Sequence, residues 1–165
     1  MPSKPKYKII DNVLTEEEFQ KIETFLTGAN IAWYFQKDIA KKNETTDDFY
    51  FTHMFYKDYE TRSNNISLLQ PILNILNPKA LIRIKANLYP NLGKMIVNGI
   101  HTDYPFKHNG ALFYINTNNG HTILEDGTKI QSKKNRLLLF DSSKKHRSTH
   151  CTDQMMRINI NFNYF

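Results

Sequence analysis

The sequence predicts a mainly β chain with bracing helices, an α+β arrangement in which short strands form a sandwich or barrel. Three observations carry this. From Leu81 onward, apolar and polar residues alternate with a period of two, in short runs separated by turn residues. Before Leu81, two apolar patterns have helical spacing instead. The chain has 165 residues, 40% hydrophobic and 13% aromatic, which suits one domain with a full core and is too apolar for disorder. The expected organisation is one domain, 1–165, with a helical and mixed support region over 1–80 and a strand-rich core over 81–165.

Tyr7 to Val13 reads as the first strand. Thr15 followed by Glu18 matches a capping box, in which each side chain satisfies a free amide at the helix start. The helix runs from Glu16 to about Thr27, with Phe19, Ile22, Phe25 and Leu26 on one face and Gly28 at its end. Ile31 to Gln36 is aromatic and β-prone, Asn43 to Asp48 is a polar loop, and Phe49 to Tyr56 reads as a strand. Ser67 to Leu76 has Leu68, Leu69, Ile72, Leu73 and Leu76 at helical spacing, and Pro78 marks its end.

In Leu81 to Tyr89, Ile82, Ile84, Ala86 and Leu88 point one way, while Arg83, Lys85, Asn87 and Tyr89 point the other. Four polar side chains in a row face either solvent or a wet cavity. Further strands are expected at Ala111 to Asn116, His121 to Glu125, Lys129 to Gln131, Arg136 to Asp141 and Arg157 to Tyr164. Asp126-Gly127 is a hairpin turn signal between two of them. No internal repeat or low-complexity segment interrupts the pattern.

Composition excludes some classes. No stretch approaches ~18 uninterrupted apolar residues, so no membrane span is expected. Met1-Pro2-Ser3-Lys4-Pro5-Lys6 has no apolar core behind its charges and does not read as a secretory signal. The single cysteine, Cys151, permits no internal disulfide, so a reducing cytoplasm is the expected compartment. The formal charge of +6 admits a polyanion partner such as nucleic acid. The lysines are scattered, however, which favours a basic surface over a nucleic-acid groove.

The residues with chemistry are His101-Thr102-Asp103, then His146, then Arg157. Two histidines and one carboxylate hold Fe(II) on one face and leave the other positions open. On an extended segment, His101 and Asp103 emerge on the same side, and Thr102 points away. The third ligand must come from elsewhere. His146, just past the apolar run Leu137–Phe140, can return beside the pair, and His150 competes with it. Arg157 is a fixed cation suited to gripping a carboxylate with two parallel hydrogen bonds. Each residue also has a plainer reading: a surface loop before Tyr104-Pro105 for His101 and Asp103, a solvated basic turn for His146, and an exposed strand position for Arg157. If Arg157 does face inward, alternation brings Asn159, Asn161 and Asn163 with it. The same argument brings Asn87 alongside Tyr89. His53, His108, His121, Trp33 and Cys151 read as packing or loop residues rather than sites.

One family has these pieces in the same order: Asn87-Leu88-Tyr89-Pro90, His101-Thr102-Asp103, Phe113-Tyr114-Ile115-Asn116, Asn119-Gly120-His121-Thr122, Asn135-Arg136-Leu137-Leu138-Leu139-Phe140-Asp141, His146, and Arg157-Ile158-Asn159-Ile160-Asn161-Phe162. Over roughly Leu81 to Phe165, the chain resembles the Fe(II)- and 2-oxoglutarate-dependent dioxygenases, in particular the prolyl-hydroxylase-like branch. It is similar to the compact single-domain versions found in bacterial viruses and their hosts. The resemblance implies a double-stranded β-helix, the cupin-like jelly roll. It implies Fe(II) on His101, Asp103 and His146, with His146 preferred over His150 by its spacing to Arg157. It implies that Arg157 binds the distal carboxylate of 2-oxoglutarate, that Tyr114 faces Arg157 and hydrogen-bonds that carboxylate, and that Tyr89 lines the cosubstrate pocket, with Asn87 as a further lining residue. The implied activity consumes O2, converts 2-oxoglutarate to succinate and CO2, and hydroxylates a primary substrate of unspecified class: a prolyl or other peptide residue, an amino acid or a nucleobase. Two other readings stand beside it. One is a non-catalytic jelly-roll module binding a sugar or nucleic acid; the other is a hydrolase using Zn²⁺ on the same three ligands.

Overall fold

The structure is a computed structural model that describes residues 7–37 and 48–165. In chain order it contains β1 (Tyr7–Asp11), α1 (Glu16–Thr27), β2 (Tyr34–Gln36), β3 (Tyr50–Lys57), β4 (Glu60–Thr61), a 3₁₀ turn (Ile66–Leu69) and α2 (Gln70–Leu76). Then follow β5 (Leu81–Pro90), β6 (Asn109–Tyr114), β7 (His121–Leu124), β8 (Lys129–Gln131), β9 (Arg136–Asp141), β10 (His146–Ser148) and β11 (Met156–Tyr164). Of the loop expected over Asn43 to Asp48, all but Asp48 lies outside the described residues.

Two antiparallel sheets make the jelly roll. The large one has the order β1-β9-β6-β11-β5-β3-β2, with β4 attached to β3. The small one has the order β10-β7-β8. Single bridges, Val97 to Thr149 and His101 to His146, extend the small sheet along β10. The long central pair, β5 and β11, runs from Pro90 opposite Met156 to Leu81 opposite Tyr164. Its alternation divides the molecule. Ile84, Ala86, Ile158, Ile160 and Phe162 are fully buried in one apolar cluster with Phe19, Ile22 and Leu26 of α1 and Ile72 of α2. Phe19 meets Phe113 of β6 edge-on, ring centres 5.9 Å apart. The opposite face of the same strands is polar and looks toward the small sheet.

The helix start is built as expected. The Thr15 hydroxyl accepts from the Glu18 amide at 3.3 Å, and the Glu18 carboxylate accepts from the Thr15 amide at 3.0 Å. The helix end is extended rather than left-handed at Gly28, where a Cβ would come within 2.7 Å of the Thr24 carbonyl oxygen. Asn135 takes a left-handed conformation (φ 58°) and ties Leu14 down through both its amide and its carbonyl.

Two local expectations are corrected, and two points that the sequence left open are settled. The single helix over Ser67 to Leu76 is divided into a 3₁₀ turn and α2. Pro71 lies at the start of α2, where a missing N–H costs nothing, and it cannot sit inside a longer helix. Of the stretch from Ile31 to Gln36, only Tyr34–Gln36 forms a strand, at the sheet edge. His101-Thr102-Asp103 is not a strand. His101 makes one reciprocal bridge to His146, at 3.0 and 2.9 Å, and then the Asp103 amide turns away to the Ser142 carbonyl at 3.2 Å. Finally, His146 lies on a strand of its own, β10, too short to show a period in the sequence. Among the described residues, no helix is long and apolar enough to cross a membrane.

Candidate active site

The bridge between His101 and His146 sets their imidazoles side by side, with ring centres 4.6 Å apart. Each ring is oriented from behind. His101 Nδ1 lies 3.2 Å from the Gly99 carbonyl oxygen, and His146 Nδ1 lies 2.9 Å from that of Lys144. A carbonyl only accepts, so both Nδ1 atoms carry the proton and both Nε2 lone pairs are free. Those Nε2 atoms lie 3.8 and 3.9 Å from Asp103 Oδ1, and the three ligand atoms all fall within 4.8 Å of one another. Among the described residues this is the cluster of metal-donor side chains, and its donor set is that of an open Fe(II) site.

Asp103 is held by three side-chain donors. Arg83, from β5, donates to Oδ1 at 3.2 Å, while Asn161 and Asn163, from β11, donate to Oδ2 at 3.0 and 2.8 Å. Burial alone would raise its carboxyl, but Arg83, His146 and the two amides together hold it well below the usual carboxylate range. Burial pushes His101 the other way, and neighbouring His146 adds to it, so the imidazole stays neutral. A charged carboxylate and a neutral imidazole are the forms that bind metal. Behind them, Asn163 also donates to the Ser142 hydroxyl at 3.1 Å, and that hydroxyl meets buried His108 at 2.8 Å. Such supporting bonds fix a ligand's direction.

Arg157 is the other unusual element. It is fully buried at 0% exposure, yet it makes no ion pair with an acid among the described residues. Its Nε donates to Ser132, one terminal nitrogen to Ser148 and the Thr149 carbonyl, and the other to Thr122 at 3.1 Å. The guanidinium lies over the rings of Tyr89 and Tyr114, 5.3 and 5.7 Å from their centres. Gly120 makes this enclosure possible, because a Cβ there would meet Arg157 Cδ at 2.6 Å. The Tyr114 hydroxyl also donates to Thr122 Oγ1, at 2.8 Å. Two donors, one of them charged, thus converge on a single small oxygen.

A cavity of about 50 Å³ connects these parts. That is room for roughly three to five waters or a small organic acid. Its walls include the three metal-donor residues, Tyr89, Asn87, Lys85 and Asn161 of the polar face, and Thr122 and Ser148 of the small sheet. Asn87 donates to Asn159 at 3.0 Å, while the carbonyl oxygens of Asn87 and Asn161 are buried without a partner.

The expected residues therefore come together with two adjustments. Tyr89 and Asn87 line the cavity directly, whereas Arg157 and Tyr114 sit behind Thr122 and Ser148. His150 is kept apart from the cluster, with Nδ1 on the Pro90 carbonyl at 2.8 Å. Cys151 is buried, and His53 bridges the Ala32 carbonyl and Ser63 as a packed histidine. Sequence reasoning missed the Arg83–Asp103 pair, although alternation had put Arg83 on the correct face. It also missed the roles of Thr122 and Ser148, on short strands, and of Ser132, just past β8, for which the sequence carries no separate signal.

No protein-family model matches the chain, and no curated protein matches it. Solved structures do. One is an oxidoreductase of the 2OG-Fe(II) oxygenase family from Burkholderia pseudomallei, with a TM-score of 0.73 and 10% identity over 96% of this chain and 84% of that one. The chain shares the jelly-roll fold of that oxygenase. A prolyl hydroxylase from Trichoplax adhaerens, in complex with a hypoxia inducible factor peptide, gives a TM-score of 0.66 and 16% identity over 97% and 83%. The viral collagen prolyl hydroxylase of Paramecium Bursaria Chlorella virus-1 gives 0.61 and 13% over 96% and 94%. At these identities the oxygenase fold is shared while most side chains are not, so chemistry has to be argued from the site itself.

Proposed function

We propose that this chain is an Fe(II)- and 2-oxoglutarate-dependent dioxygenase that hydroxylates a primary substrate. The observation that carries the reading is Arg157, an enclosed guanidinium with no acid partner among the described residues, bonded to Thr122 and Ser148, which line the same small cavity as the three metal-donor residues. A buried cation without a counter-ion is costly, and a carboxylate arriving at the Thr122 position would receive donors from both Arg157 and Tyr114. Neither a metal hydrolase nor a passive binding module gives that cation a task.

His101, Asp103 and His146 would hold Fe(II). When bound, Fe(II) with 2-oxoglutarate supplies oxidation by O2, one oxygen atom going to the substrate C–H bond and the other to succinate as CO2 leaves. The protein's residues do the rest. The Nδ1–carbonyl bonds of both histidines hold Nε2 toward the cavity, and Asn161 and Asn163 hold one oxygen of Asp103 so that the other faces the histidines. Arg157, Tyr114 and Tyr89 would orient the distal end of the cosubstrate, which is the positioning that makes a bound reactant reactive. The prolyl hydroxylases among the neighbours make a peptidyl proline one substrate class to examine.

The test is an oxygen-free titration of the protein with Fe(II) and 2-oxoglutarate, following the weak visible absorption of the chelate. The band is expected in the wild type, is lost in His101→Ala, and needs more cosubstrate in Arg157→Ala. A folded, metal-supplied wild type without a band overturns the reading.

A further inference from the structure

Lys85 is a second basic residue that the proposed chemistry does not use. It sits on β5 two residues from Arg83 and two from Asn87, on the polar face, and it lines the same cavity as His101, Asp103 and His146. Arg83 is occupied by Asp103. Lys85 forms no ion pair and no hydrogen bond among the described residues. Its one specific contact is with the ring of Tyr50, 5.6 Å from the ammonium. Tyr50 in turn stacks on Tyr89 at 5.5 Å, so the ring beside the ammonium is itself held in the cavity wall that Lys85 shares. Burial, with Arg83 adding to it, pushes this amine down to about 7. A lysine on a solvated face would not be held this way, and a core position would carry a neutral side chain.

The register separates the two basic residues. Arg157 is opposite Tyr89, and Lys85 is opposite Asn161, four residues further along both strands. At about 3.3 Å per residue their backbone positions are roughly 13 Å apart. Arg157 therefore belongs to the Thr122 end of the cavity, and Lys85 to the end where Asn161 and Arg83 meet Asp103. Charge makes the same distinction. Asp103 is already matched by Arg83, and a dicarboxylate cosubstrate would be matched by a divalent metal and Arg157 with positive charge to spare. Lys85 then remains without an anion even in the loaded site.

We propose that Lys85 is a specificity-determining residue that anchors a carboxylate of the primary substrate, so that the molecule hydroxylated is an acid. This inference rests on the oxygenase reading for one point only, that Arg157 takes the cosubstrate. A carboxylate beside the metal could also be the cosubstrate's own, and the test separates the two.

Acetate serves as the probe. Its binding is measured by isothermal titration to the protein without metal, and again to the protein loaded with Fe(II) and 2-oxoglutarate in the absence of oxygen. Wild type, Lys85→Met and Lys85→Arg are compared after circular dichroism has shown all three folded. The expected result is saturable acetate binding to loaded wild type, weakened about tenfold or more in Lys85→Met and restored in Lys85→Arg, with 2-oxoglutarate affinity unchanged. Loss of 2-oxoglutarate affinity in Lys85→Met would overturn the assignment, since Lys85 would then serve the cosubstrate. Equal acetate binding in wild type and Lys85→Met would also overturn it while leaving the oxygenase reading standing. If wild type gives no 2-oxoglutarate band, the oxygenase reading fails instead, and Lys85-dependent acetate binding to the metal-free protein would still support an acid-binding site.

Discussion

The two faces of β5 and β11 are made by alternate residues of the same two strands, yet they live in different solvents. On one face Ile84, Ala86, Ile158, Ile160 and Phe162 pack against α1 and α2 with nothing left to satisfy. On the other, the side-chain carbonyls of Asn87, Asn161 and Asn163 are buried without partners, and buried Arg157 and half-buried Lys85 have no acid partner among the described residues. Burial alone completes the apolar face. The polar face is incomplete by itself, and its missing partners have a definite chemistry: a cation near Asp103 and anions near the two basic groups. Stability and function are thus separated by one step in the strand period.

The separation is open to experiment. The largest effect is expected on the apolar face. Phe113→Ala removes a fully buried ring that meets Phe19, and should cost about 3–5 kcal/mol in urea unfolding. The folded fraction should still bind metal with unchanged affinity. A cost well under 1 kcal/mol would mean that the helices do not stabilise the sheet as described. Arg157→Met should behave in the opposite way. It removes four hydrogen bonds but also an uncompensated buried charge, so stability should change little, while 2-oxoglutarate affinity falls by about a hundredfold. Destabilisation comparable to Phe113→Ala, with cosubstrate affinity retained, would make Arg157 a structural residue. A smaller effect is expected one layer behind the metal. Asn163→Ala removes the donor that links Asp103 to Ser142, and metal affinity by competition with a chelator should fall about tenfold. No change would show that Arg83 and Asn161 hold the carboxylate without it.

Much of this division can be read in the sequence, because it is written in periods. The helix with its capping box, the alternation of β5, and the inward set Arg157, Asn159, Asn161 and Asn163 all follow from residue spacing. What could not be read is whatever depends on single residues meeting across the fold. The His101–Thr102–Asp103 segment could be read as extended or as a surface loop; one bridge holds it, and the approach of Asp103 is set by Ser142 and two asparagines from β11. β10 has three residues, too few to display a period, so His146 could be paired with His101 by family resemblance but not by pattern. The place of Tyr114 shows the same limit. Its strand was correct, while its hydroxyl partner, Thr122, comes from the other sheet.

The smallest expected effect lies outside both faces. Asp11, at the end of β1, takes Arg136 Nε at 2.6 Å and Lys133 at 3.0 Å, tying the edge strand to β9 and the turn before it. Hydrogen bonds from Arg136 and Lys133 hold its carboxyl well below its ordinary value of 3.8. A carboxyl depressed by folding stabilises the protein above its unfolded pKa, and that contribution is lost as pH falls through 3.8 toward the folded value. The Asp11 side chain is about one-third exposed (35%), so solvent screening keeps the contribution to about 0.5–1 kcal/mol. Asp11→Asn should therefore be less stable than wild type by that amount at pH 7, and the gap should narrow in urea titrations taken down to pH 3. It should also shrink in high salt. A gap that persists unchanged at pH 3 would mean that hydrogen-bond geometry rather than charge holds β1 in place. In either case the cavity should be indifferent to the change, because β1 is separated from β5 and β11 by β9 and β6.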